Sequence, residues 1–136
     1  MDLYANAQET EQAANDLLAA GRYRHSVTLA CLAVELYLKS RLYLVPHRVE
    51  LERSHDVIGL YDALVQRYRP TTDMRPKVNL CRKYFNESRY PYNGNSDIYT
   101  HALAKDFIDF ASEIKHFVDN TCVGTIEDLE RKYPTR

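Results

Sequence analysis

Apolar residues recur at helical spacing through almost the whole chain. Leu3, Ala7, Ala14, Leu17 and Leu18 predict a first helix, which Gly21 stops. A second helix is predicted from Tyr23 to Leu44. Val27, Leu29, Ala30, Leu32, Ala33, Val34, Leu36, Leu38 and Leu42 leave it apolar nearly all round, as befits a rod packed on every side in the middle of a bundle, and Pro46 ends it. Ser54 is placed to cap a third helix, with Asp56 in its first turn. The inner stripe of that helix is Val57, Leu60, Tyr61, Leu64, Val65 and Tyr68, and Pro70 closes it. Pro76 suits the first turn of a short fourth helix that turns Val78, Cys81 and Phe85 inward. Residues 88–98 are rich in turn formers and predict a loop. A fifth helix is predicted from Tyr99 to Asn120, with a seam of Leu103, Phe107, Phe110, Ile114 and Phe117 at alternating steps of four and three. After Gly124, Thr125 and Asp128 form a capping pair for a short last helix at 126–132.

No segment alternates with period two for long enough to predict a strand. The expected fold is therefore all-α: a single domain over residues 1–136, an up-and-down bundle of four to five helices plus a short C-terminal helix. The chain has 11 Tyr and no Trp, and Tyr packs a ring while keeping a polar tip. Tyr-rich strips left uncovered on a monomer predict a homodimer.

Composition narrows the class. The chain is 45% hydrophobic and 27% charged, ordinary for a globular domain and too apolar for a disordered one. Its longest apolar run, Leu29 to Val34, is far short of a membrane span, and Met1-Asp2-Leu3-Tyr4 does not begin a signal peptide. Cys31, Cys81 and Cys122 have no paired spacing, so the expectation is buried, reduced thiols in a cytoplasmic protein. The five His show neither HxxxH nor HxH spacing, and no metal site is expected.

Net charge is −1, but its distribution is uneven. Residues 1–21 carry four acids and no base, and residues 97–130 carry eight acids and two bases. Residues 67–89 carry Arg67, Arg69, Arg75, Lys77, Arg82, Lys83 and Arg89 against Asp73 and Glu87, a stretch of net charge +5 that can meet an anion.

Three stretches, in order, carry a resemblance. They are Leu18-Ala-Ala-Gly-Arg-Tyr23 followed by Ser26-Val-Thr-Leu-Ala-Cys-Leu-Ala-Val-Glu-Leu-Tyr-Leu-Lys39, then Ser54-His-Asp-Val-Ile-Gly-Leu60, then Ser88-Arg-Tyr-Pro91. Together, across about residues 3–118, they resemble the HEPN domain (higher eukaryotes and prokaryotes nucleotide-binding). The resemblance implies a helical bundle, frequent dimerisation and a role in nucleotide binding or RNA cleavage. It also implies a small nucleotidyltransferase as partner, since many members work beside one.

Ribonuclease members of the family use an Arg followed, after four to six residues, by a His, as phosphate holder and ribose-hydroxyl activator. Arg41 to His47 and Arg48 to His55 satisfy that count. With 12 Arg and 5 His, chance alone supplies about one such match. Both pairs lie between the second and third helices, away from the last long helices where the resemblance places the motif, and Arg89 is too far from His101. The nuclease motif is read as absent. If the chain is a toxin-type, metal-independent endoribonuclease of a toxin–antitoxin pair, Arg48 and His55 are its catalytic candidates.

The remaining candidates concern binding. Glu35 and Lys39, four apart on an apolar helix, form an intrahelical ion pair or line a cleft in which Lys39 reaches a phosphate. His55 either complements a helix terminus or lines the same cleft. Arg82-Lys83-Tyr84 and Arg89-Tyr90-Pro91-Tyr92 interleave cations with rings, so Lys39, Arg82 and Arg89 are the candidates for phosphate contact and Tyr90 and Tyr92 for base stacking. The alternative for Arg89 is an ion pair with Asp106 or Asp109. No glycine-rich phosphate loop or hydrolase signature is present. The chain is thus expected to be a nucleotide- or RNA-binding module with no resident cofactor beyond a bound nucleotide such as ATP or GTP, with a purely structural dimeric interaction module as the further alternative.

Overall fold

The computed structural model describes residues 2–46, 49–90 and 96–124. The described residues form six α-helices and no strand: α1 (Leu3–Ala19), α2 (Tyr23–Lys39), α3 (Val49–Arg53), α4 (Val57–Val65), α5 (Arg75–Arg89) and α6 (His101–Asn120). Single 3₁₀ turns occupy Leu42–Leu44 and Ser96–Ile98. The short last helix expected at 126–132 lies outside the described residues.

The α1–α2 turn is set by Gly21, whose φ of +76° is open to glycine at no steric cost. The Gly21 N–H donates to the Leu18 carbonyl at 3.1 Å and that of Arg22 to the Leu17 carbonyl at 2.8 Å, the paired bonds of a Schellman ending. The chain thereby reverses and lays α2 along α1, where the Ser26 hydroxyl donates to the Ala14 carbonyl at 2.8 Å.

The central rod expected of the second helix is present. α2 packs against α1, α4, α5 and α6, and it buries Val27, Ala30, Cys31, Val34, Tyr37 and Leu38. It is shorter than its apolar pattern implies. The Ser40 hydroxyl turns back onto the Tyr37 carbonyl at 2.6 Å, and the Arg41 N–H bonds to Leu38, three residues back, at 3.2 Å. Helix gives way at Lys39, and Leu42 and Leu44 reach the core from the 3₁₀ turn instead.

Two further boundaries differ from expectation. The cap of α4 is Asp56, whose carboxylate accepts the Gly59 N–H at 3.0 Å, while Ser54 accepts the Asp56 N–H at 3.2 Å. The α5 helix is 15 residues long and continues through Ser88 and Arg89, where turn formers predicted a loop. Ser88 is fully buried there: its hydroxyl accepts from Thr28 at 2.6 Å and its carbonyl from Arg24 at 2.6 Å. Two side chains of α2 thus hold the last turn of α5 in place.

On α6, Thr100 caps the start by accepting the Leu103 N–H at 3.1 Å. Phe107, Phe110, Ile114 and Phe117 form the expected seam against α2, joined by Ala104, Ile108, Ala111 and Val118. All three cysteines are free and buried. A hydrogen bond with Cys81, then burial, raises the Cys31 thiol, and burial pushes that of Cys122 up to about 12. Among the described residues, no helix is long and apolar enough to cross a membrane.

Candidate nucleic-acid interface

The centre of the site is a carboxylate on the apolar rod. Glu35 is only 4% exposed and would be costly there unless paired. It has two partners: the Lys39 ammonium one turn on, 3.2 Å away, and His55 from the residue preceding the α4 cap. The His55 Nδ1 lies 3.0 and 3.1 Å from the two carboxylate oxygens. A carboxylate only accepts, so Nδ1 carries a proton, and in the neutral ring Nε2 is the acceptor. The His55 side chain is 63% exposed, so the pair joins a buried anchor to a ring at the surface.

The C-terminal half of α5 faces this ring. His55 and Phe85 have ring centroids 5.8 Å apart. The Arg89 guanidinium lies 4.1 Å above the Phe85 ring on the same helix and 5.3 Å from the Tyr90 ring. Its Nε donates to the Phe85 carbonyl at 3.1 Å and an Nη to Asn86 at 3.0 Å. His55, Phe85, Arg89 and Tyr90 thus form a file of planar groups along the helix end. Arg82, one turn earlier, is exposed and makes no hydrogen bond or ion pair with the described residues. It shares with Glu35, His55, Phe85 and Asn86 the lining of a cavity of about 80 Å³.

The structure therefore brings Glu35, His55 and Arg82 to one recess, with Arg89 and Tyr90 following along the end of α5 and Lys39 held to Glu35 on α2. Lys39 is turned to Glu35, its side chain 10% exposed, so it balances the carboxylate. Arg89 bonds to neither Asp106 nor Asp109; Asp109 instead pairs with Lys105 at 3.0 Å. Arg48, His47 and Tyr92 lie outside the described residues. Arg41 is committed elsewhere, donating to the Val118 carbonyl at 3.2 Å and lying 3.6 Å from Asp119. A cavity of about 640 Å³ between the start of α1 and the end of α2 shares only Lys39 with this set.

A family model of the HEPN domain matches residues 1–121. The chain belongs to the HEPN family. No curated protein and no solved structure matches it. HEPN membership makes the chain a nucleotide- or RNA-related module in general terms, and the all-α bundle is the fold of that family. Phe85 and Asn86 were missed as site residues because Phe85 reads as a core position; its i,i+4 spacing to Arg89 was the available signal. No group of three or more metal-ligating side chains converges among the described residues.

Proposed function

We propose that this HEPN chain is a cytoplasmic RNA-binding module that takes a single-stranded segment along the end of α5, with Arg82 and Arg89 on phosphates and Tyr90 under a base. The carrying observation is that Arg82 and Arg89 are exposed and have no acid partner among the described residues, in a region otherwise provided with stackable rings. Cavity size favours a strand over a free nucleotide. The recess beside Arg82 measures about 80 Å³, against the roughly 300–1,000 Å³ of small-molecule pockets, so ATP or GTP is not enclosed there. On this reading the chain acts as a homodimer beside a separately encoded nucleotidyltransferase, an assignment supported by the family alone. Fluorescence anisotropy with a labelled single-stranded RNA, its duplex, and ATP or GTP as competitors tests it. Strand-selective binding that Arg82→Ala weakens is expected; equal binding by that variant removes the reading.

One observation favours a second reading, a metal-independent endoribonuclease. Glu35 holds His55 by Nδ1, so that in the neutral ring Nε2 is the acceptor, which is how a buried carboxylate prepares an imidazole to take a proton from a hydroxyl. RNA cleavage in the presence of chelator, lost in His55→Ala, is its test. RNA left intact by the wild-type protein rules it out.

A further inference from the structure

The recess beside Arg82 carries the wrong charge for a phosphate. Glu35, His55, Arg82 and Asn86 line it, with the buried thiols of Cys31 and Cys81. Glu35 is the most buried of the four polar residues, 4% exposed. The His55 Nδ1–H reaches its carboxylate at 3.0 Å and the Lys39 ammonium at 3.2 Å. A carboxylate has about four lone-pair sites, so about two stay open to another donor. Opposite stands Asn86, an exposed residue of α5. Arg89 donates to its Oδ1 at 3.0 Å, which fixes the orientation of the amide. The Nδ2 amine is then a donor with no hydrogen bond among the described residues.

These groups sort the parts of a strand. A phosphate entering the recess would meet the Glu35 carboxylate, so phosphates stay on Arg82 and Arg89 at its rim. A base edge that offers N–H groups is drawn in. The recess, about 80 Å³, admits the leading atoms of such an edge while the sugar stays outside.

We propose that this recess selects guanine. Its N1–H and 2-amino group donate to the open lone pairs of Glu35, and its O6 accepts from Asn86 Nδ2. Guanine alone has two adjacent donors on its pairing edge. Adenine and cytosine set an amino group beside a ring-nitrogen lone pair, which would face the carboxylate. Uracil sets one N–H between two carbonyls, with the same conflict. Glu35 and Asn86 are thus the specificity-determining residues, and the charge of Lys39 keeps Glu35 ionised without filling it. The inference rests on the RNA-binding reading and names the base which that site reads.

Fluorescence anisotropy of the full chain with short labelled oligouridines is the test. Each carries one central guanine, adenine, cytosine or inosine, with unsubstituted oligouridine as reference. The guanine oligomer is expected to bind about tenfold or more tighter than those with adenine, cytosine or uracil. Inosine lacks the 2-amino group and should lose most of that gain. Asn86→Ala should narrow the ratio of guanine to oligouridine affinity several-fold. Glu35→Gln, close to isosteric, turns an acceptor into a donor and should abolish the preference, with circular dichroism to show that it is folded. If that variant does not fold, the inosine and Asn86→Ala ratios decide. Equal affinity for all five oligomers, or a guanine preference that inosine and Asn86→Ala leave intact, overturns the assignment while RNA binding stands. Binding of none of them removes the RNA-binding reading as well.

Discussion

Glu35 holds His55 through both carboxylate oxygens, at 3.0 and 3.1 Å, although the two residues are 20 apart in sequence and only Glu35 is buried. The pair joins the rod to the start of α4 and fixes where the surface ring stands. Its partners differ in burial, and so should the cost of removing each. Glu35→Ala strands Lys39 in a largely buried setting and should lower stability by about 2–4 kcal/mol. His55→Ala removes a mostly exposed ring and should cost about 0.5 kcal/mol or less. Urea unfolding of both variants measures the contrast, and equal losses would mean that Glu35 is not the anchor.

Arg82 and Arg89 differ in how they are held, which separates their effects on RNA. Arg82 has no hydrogen-bond or ion-pair partner among the described residues, so Arg82→Ala should leave stability within about 0.5 kcal/mol. The slope of log affinity against log salt should fall by about 0.7, the value of one single-stranded phosphate. Arg89 is stacked on Phe85, and Arg89→Lys keeps the charge but loses the planar fork. That variant should retain the salt slope and still bind more weakly. A salt slope unchanged in Arg82→Ala would remove Arg82 from the phosphate path.

The bundle was legible because its signal is periodic. The seam on α6 and the all-round apolar rod of α2 read directly from spacing, and burial follows them. Boundaries were less legible where a single side chain competes with the helix. Ser40, which bonds back to Tyr37, ends α2 before the apolar pattern does, and Ser88, gripped by Thr28 and Arg24, carries α5 past residues that favour turns. The site was legible in part. Glu35, His55, Arg82 and Arg89 could be picked out as chemistry on a bundle, but the Glu35–His55 hydrogen bonds and the Phe85–Arg89 stack depend on packing angles that no spacing rule contains.

Gly59 lies in the first turn of α4, where alanine would ordinarily gain about 1 kcal/mol in helix propensity. A Cβ there would come within 2.7 Å of the Asp56 carboxylate oxygen Oδ2 and 3.1 Å of a Leu51 methyl. Asp56 cannot swing away without loosening the cap it makes with the Gly59 N–H. Gly59→Ala should therefore destabilise, by about 1 kcal/mol, and shift His55 in heteronuclear NMR spectra. A rise in melting temperature would show that the cap adjusts freely.

The last prediction concerns acid stability and the other end of the bundle. Asp119 near the C-terminus of α6 accepts the Tyr4 hydroxyl at 2.7 Å and the Lys115 ammonium at 2.8 Å, with Arg41 at 3.6 Å. Burial by itself would raise the Asp119 carboxyl. The hydrogen bonds from Lys115 and Tyr4, and the charges of Lys115 and Arg41, outweigh it and hold the group below its ordinary 3.8. A carboxyl depressed by folding contributes in full above its unfolded value and loses that contribution as pH falls through the lower, folded one. The hydrogen bonds of Lys115 to Asp119 and Tyr4 raise its own ammonium above 10.5, so its share is present below that value and is lost only as pH rises through the raised one. The cluster should accordingly hold α1 to α6 evenly across neutral pH and fail first on the acid side. Asp119→Asn is expected to be about 1–2 kcal/mol less stable than wild type near pH 7. The gap should close as pH falls below the ordinary carboxyl value of 3.8 and the wild-type carboxyl takes up its proton. Urea unfolding midpoints from neutral pH down through that value decide the matter, and a gap of constant size would show that the Asp119 charge contributes nothing to holding α1 in place.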